Sequence, residues 1–232
     1  MRTSWQGAAA LLAHEGIVPG PYRDSEGVWT YGAGHTAAAG APDPFKMPRG
    51  MPSDVDAAIE HALNLFFKDL AKYEREVTAA LRVPVTQHEF DAMVSFHYNT
   101  GAIARAEFVK LLNAGDRHKA GIAIMNWRKP TEVIPRREAE QNLFMHAIYP
   151  SKGIPVWQVD KAGNVIWRRL KSISQPEVQR MVRPRLNEVV TKESKKVPAG
   201  TGGVVAIGLG LAAWATGALW DIWDAIAALF GG

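Results

Sequence analysis

The rest of the chain has to be built around residues 15–36, EGIVPGPYRDSEGVWTYGAGHT. Just before them, Trp5, Ala8, Ala9, Leu11 and Leu12 recur at helical spacing. Thr3 or Ser4 offers an N-cap and Gly16 a residue just past the helix end. Glu15 then closes a helix packed on a core, at the end of the helix dipole that disfavours a bare negative charge. Tyr22-Arg23-Asp24, a turn at Ser25-Glu26-Gly27, and Val28-Trp29-Thr30-Tyr31 read as a short hairpin. Its turn brings Asp24 and Thr30 near one another, with the Glu15 helix end leading into it. One carboxyl kept protonated beside one left ionised is the arrangement that glycoside hydrolysis needs.

The ordered set Glu15-Gly16, Tyr22, Asp24, Gly27, Thr30, Gly32, Gly34 and His35 resembles the phage-type lysozymes and endolysins of glycoside hydrolase family 24. Two further blocks are similar to that family. One is Pro84 followed by Thr86-Gln87-His88-Glu89-Phe90 and on through Asn99-Thr100-Gly101; the other is Arg136-Arg137-Glu138-Ala139-Glu140 with Leu143-Phe144. Together they cover roughly residues 4–149. The resemblance implies that Glu15 is the general acid, that Asp24 is the base for an attacking water, and that Thr30 helps hold that water. It also implies single-displacement inversion, with the carboxyls roughly 6.5–9.5 Å apart. It places Tyr22, His35, Asn99 and Arg137 in the cleft or directly behind it, with Arg137 reaching Glu15. The segment ahead of that arginine, 127–134, is shorter and poorer in glycine than in many relatives. Tyr22, Gly32 and Gly34 also read as structural, and Phe96, Tyr98 and Phe108 as core aromatics.

Beyond the hairpin, residues 37–52 form a Pro- and Gly-rich loop on the side of the site. Ser53 and Asp56 resemble a capping box, opening a long helical pattern to about residue 81 that connects the hairpin lobe to a helical lobe. Thr86 and Glu89 form a second capping box. Shorter helices follow at about 102–113 and 116–127, and Pro135 suits the start of another. A small β element enclosed by helices is an α+β, lysozyme-like fold with a cleft between two lobes. The expected division is a catalytic domain at 1–150, a basic hairpin-and-helix connector at 151–199, and an apolar segment at 200–232.

Charge follows that division. Residues 1–150 carry 16 Lys and Arg against 17 Asp and Glu, residues 151–199 carry 11 against 4, and residues 200–232 none against 2. No stacking or groove-reading motif accompanies the basic stretch, so specific nucleic-acid binding is not expected. Cysteine is absent, which excludes disulfides, thiolate metal sites and a cysteine nucleophile. The seven histidines lack metal-ligand spacing, so neither a metal nor another cofactor is expected. Residues 203–220 hold no charge, and Trp214, Trp220 and Trp223 suit an interface. Membrane association through 203–230 is the expectation, against a packing or self-association element as its rival.

The composite expectation is a monomeric muramidase cleaving the β-1,4 bond between N-acetylmuramic acid and N-acetylglucosamine in peptidoglycan during host lysis. Without an export signal in the first helix, it resides in the host cytoplasm or on the inner membrane and depends on a holin to reach the periplasmic wall. The rivals are a lytic transglycosylase, which needs the acid but not the water-holding pair, and a virion-associated wall-degrading or wall-binding protein.

Overall fold

The computed structural model describes residues 1–194, with side chains as far as Pro184. Met1–Arg185 forms one compact unit, and Leu186–Gly232 a second. The apolar segment expected at 203–230 lies outside the described residues. Among the described residues no helix is long and apolar enough to cross a membrane.

Helix α1 (Trp5–Glu15) starts where the Ser4 hydroxyl accepts the Gly7 amide at 3.0 Å. It stops at Gly16, whose φ of 70° few side-chain-bearing residues adopt. Ala8, Ala9, Ala10, Leu11 and Leu12 are buried, and each leucine contributes about 1.5–3 kcal/mol on leaving water. The chain then forms a three-stranded antiparallel sheet in the order β1 (Val18–Arg23), β2 (Trp29–Gly32), β3 (His35–Thr36). Tyr22 pairs with Thr30, and Thr30 with Thr36. The third strand exceeds the expected hairpin: Gly32 and Gly34, both at positive φ, fold the chain back after two residues. A Cβ on Gly32 would lie 2.7 Å from that of Ala62, so glycine is also what seats the sheet on the next helix.

That helix, α2 (Val55–Ala80), buries Ile59, Ala62, Leu63, Phe66, Phe67, Leu70 and Val77 along one stripe. Its cap is Asp54, accepting from the Ala57 amide, rather than the expected Ser53. Thr86 and Glu89 make the expected capping box at the head of α3 (Gln87–Thr100), and Gly101 ends it in the left-handed region. Helices α4 (Glu107–Asn113) and α5 (Arg117–Ala123) are shorter than expected because single 3-10 turns take over at 103–105 and 124–127. Helix α6 (Ile134–His146) begins one residue before Pro135, which sits in its first turn, and packs along α3. Phe96 and Phe108 are fully buried, as expected of core aromatics.

The strands β4 (Ile154–Val159) and β5 (Val165–Ile173) form the hairpin expected in the connector, and helix α7 (Gln175–Ser194) follows. The hairpin packs on the sheet lobe and lies within the first compact unit. Ile17 donates to the Pro155 carbonyl and accepts from the Trp157 amide, both at 2.9 Å, while the Arg23 amide donates to Gly163 at 2.8 Å. These partners are main-chain groups, which sequence pattern does not display.

Candidate active site

Three pieces of chain converge on Glu15. The end of α1 delivers it, with its side chain 23% exposed. The first turn of α6 delivers Arg136, whose Nη1 donates to Glu15 Oε1 at 2.7 Å. The body of α3 supplies the Ser95 carbonyl, which accepts from Arg136 Nη2 at 3.1 Å. Two arginines at the positive end of a helix dipole are unfavourable by themselves. Glu140, one turn on, offsets them. It accepts from Arg136 Nε at 3.1 Å, pairs with Arg137 Nη1 at 3.1 Å, and takes the Ser95 hydroxyl at 2.8 Å.

The sequence reading placed Arg137 against Glu15; the structure gives that contact to Arg136. Arg137 is wholly buried, with Nη2 bonded to Asn99 Oδ1 at 2.7 Å and its guanidinium over the Phe96 ring. Neighbours on a helix point about 100° apart, so only one of the two can face the cleft. Arg137, Glu140 and Phe144 share one stripe at i, i+3 and i+7, the side packed on α3. Arg136 stands at equivalent helical spacing to Glu140 and Leu143, so periodicity alone does not choose between the two arginines; the packing of α6 on α3 does. Burial works to lower the Arg136 pKa, yet the charges of Glu15 and Glu140 carry it above its ordinary value; burial holds that of Arg137 below.

Across the sheet lobe, Asp24 has two jobs. Its Oδ1 accepts the amides of Glu26 and Val28 at 3.0 and 2.8 Å, tying the turn together. Its Oδ2 faces the Thr30 hydroxyl at 3.4 Å, and that hydroxyl also reaches the Val28 carbonyl at 3.1 Å. A hydroxyl has one proton to donate, so Thr30 retains lone-pair capacity for a water. Tyr22, paired with Thr30 in the sheet, sits between the acidic groups. Burial first, then the negative charges of Glu15 and Asp24, hold its phenol well above its ordinary pKa.

His35 lies 2% exposed, away from the surface of the cleft. Its Nε2 meets the Pro42 carbonyl at 2.9 Å and so donates; its Nδ1 is hydrogen-bonded with Asp69 Oδ2 at 2.7 Å. It therefore pins β3, the 37–52 loop and α2 together. Asn99 is exposed at the end of α3, and through Arg137 it joins the network behind Glu15. The Tyr98 hydroxyl donates to the Ala33 carbonyl at 2.6 Å, closing the sheet onto α3. Among the described residues no three His, Cys, Asp or Glu side chains are grouped to hold a metal ion.

A helix-end carboxylate facing a three-stranded sheet that presents Asp24 and Thr30, with a helical lobe behind, defines a protein of the lysozyme fold. The chain belongs to the phage lysozyme family, whose model matches residues 12–140. It is 32% identical over 151 residues to the endolysin of Salmonella phage P22, covering 62% of this chain and 99% of that one. It is 30% identical over 142 residues to the SAR-endolysin of Escherichia phage Mu, covering 58% of this chain and 76% of that one. Among solved structures, an endolysin from Escherichia coli O157:H7 phage FAHEc1 superposes with a TM-score of 0.56 at 30% identity, over 65% of this chain and 97% of that one. P22 lysozyme superposes at 0.52, also at 30% identity, over 62% and 99%. The protein is a wall-degrading lysozyme.

Proposed function

We propose that the enzyme is a muramidase that hydrolyses the β-1,4 bond from N-acetylmuramic acid to N-acetylglucosamine, with Glu15 as acid and Asp24 as base. The observation that carries this reading is how differently the two carboxylates are held. Glu15 is held by a guanidinium at the end of a packed helix, whereas Asp24 faces no cation among these contacts and turns its Oδ2 to the Thr30 hydroxyl at 3.4 Å. Glu15 protonates the glycosidic oxygen as the bond to the anomeric carbon breaks. A water held by Thr30 and Asp24 attacks that carbon from the opposite face and gives its proton to Asp24, so the product carries an inverted reducing end. Arg136 keeps Glu140 and the Ser95 carbonyl as partners when Glu15 takes up a proton, so releasing Glu15 strands no buried charge. Mass spectrometry of digested peptidoglycan tests the reading: hydrolysis leaves reducing N-acetylmuramic acid, and anhydro-sugars would mean a transglycosylase. Glu15→Gln lowers turnover by at least about a hundredfold with the fold intact; a variant keeping more than about a tenth of the rate removes Glu15 from the acid role.

The biological role that fits is lysis of the phage host, with peptidoglycan as the polymer attacked and a holin giving access to it. The resemblance to a SAR-endolysin supports membrane association, and the uncharged run at residues 203–220 is what singles out 203–230 as the segment that would make it. Fractionation of the full chain against a version ending at Pro198 tests that association; equal solubility of the two after a carbonate wash refutes it.

A further inference from the structure

The β4–β5 hairpin lies wholly beyond residues 12–140, the part matched by the family. It is nonetheless anchored at both ends of the catalytic lobe. At the Glu15 end, Ile17 exchanges two backbone hydrogen bonds with Pro155 and Trp157, and a Cβ on Gly16 would lie 2.7 Å from the Trp157 indole nitrogen. At the Asp24 end, Gly163 accepts the Arg23 amide, and a Cβ there would lie 2.5 Å from Trp29, the residue before Thr30. Strand β4 therefore runs beside β1 from the proposed acid to the proposed base, and β5 is its outer edge.

That outer edge is built unlike a solvent-covered strand. Trp167 is 77% exposed, with Ile166 and Leu170 also on the surface. Two register irregularities in the ladder interrupt regular pairing with β4 along this stretch. Trp167 meets Trp157 edge-to-face, with ring centroids 5.5 Å apart, and the Arg169 guanidinium lies over the Trp157 ring. Trp157 thereby links the exposed indole to the residue that follows Glu15. A large indole left in water gives up most of its burial free energy, and a second indole fixing its edge limits how it can turn away. Arg168, Arg169 and Lys171 make this strand basic, Lys171 being paired with Asp56 and the two arginines carrying the excess charge.

We propose that the hairpin is an added glycan subsite: Trp167 is a stacking platform for a sugar ring of the peptidoglycan strand outside the catalytic cleft. The basic side chains around it match the strand's carboxylates, which belong to the stem peptides and, where these have been removed, to the lactyl groups. Continuity with the cleft is what selects a glycan over a lipid surface, because the platform is tied to Gly16 and Trp29 on either side of the reacting residues. This inference rests on the muramidase reading.

The test uses the full chain and glycan strands freed of stem peptides. In the Glu15→Gln background, Trp167→Ala weakens binding to these strands about tenfold, equivalent to about 1.4 kcal/mol, and Trp167→Phe restores most of it. With Glu15 intact, Trp167→Ala raises KM on long strands by a similar factor while kcat changes little, the signature of lost uniform binding. Unchanged glycan affinity and KM in Trp167→Ala overturn the proposal. Loss of binding to anionic phospholipid vesicles with glycan affinity unchanged overturns it in favour of a membrane surface. The unsubstituted chain is assayed for reducing-end release in parallel, so failure of the muramidase reading is read from that arm and failure of the subsite from the binding arm.

Discussion

Replacing Arg137 by methionine separates the two adjacent arginines of α6. Arg137 is fully buried and pairs with Glu140, itself 2% exposed. Removing one member of a buried ion pair ordinarily costs about 3–5 kcal/mol, because the other charge is left without compensation. Here Glu140 keeps Arg136 Nε at 3.1 Å and the Ser95 hydroxyl at 2.8 Å. Methionine also fills much of the space above Phe96. The expected loss is thus near the lower bound, about 3 kcal/mol. For a unit of this size each kcal/mol moves Tm by about 2–4 °C, so calorimetry should show a fall of about 6–12 °C. Turnover on peptidoglycan, measured well below the new Tm, stays near the parent value because Glu15 and Arg136 keep their contact. Arg136→Met gives the opposite pattern: a smaller Tm change, and kcat/KM lowered by about tenfold or more as the Glu15 carboxyl loses its placement. If Arg137→Met leaves Tm unchanged and abolishes turnover, the assignment of the two arginines is wrong and Arg137 belongs in the cleft.

Asp24→Asn keeps an oxygen for the Glu26 and Val28 amides but no base, so hydrolysis drops by two or more orders of magnitude with Tm nearly unchanged. Asp24→Ala should also lower Tm, and wild-type activity in Asp24→Asn would dismiss it as base. Gly7→Ala, which in an open helix would stabilise by about 1 kcal/mol, instead destabilises by about 1–3 kcal/mol. The added Cβ would lie 2.4 Å from Asp91 Cγ, in a carboxylate already holding Ser4, Gln87 and Tyr149; a raised Tm would show that this network yields freely. Burial first, then the positive charges of Arg136, Arg137 and Lys152, push the His14 pKa down from 6.5 to about 4. Between those values the unfolded chain takes up a proton that the folded one refuses, so stability falls as pH drops through the window and levels off below it. The loss is about 1–3 kcal/mol, and denaturant melts of His14→Gln should lack that share of the pH dependence.

Much of the architecture was determined by local sequence. Ser4 and Gly16 bound α1, and Thr86 with Glu89 opens α3, because caps are satisfied within a few residues of themselves. Glu15, Asp24 and Thr30 could be singled out for a similar reason: the turn that joins the last two closes through Asp24's own neighbours. The seating of His35 against Asp69 and Pro42, by contrast, depends on α2 and the 37–52 loop arriving together. The choice between Arg136 and Arg137 depended on the rotation of α6 against α3, which is set by packing of Leu143 and Phe144. Only the tertiary structure could attach the β4–β5 hairpin to the edge of β1. Backbone amides and carbonyls make that joint, and every residue carries the same ones, so side-chain sequence leaves it open until the strands meet.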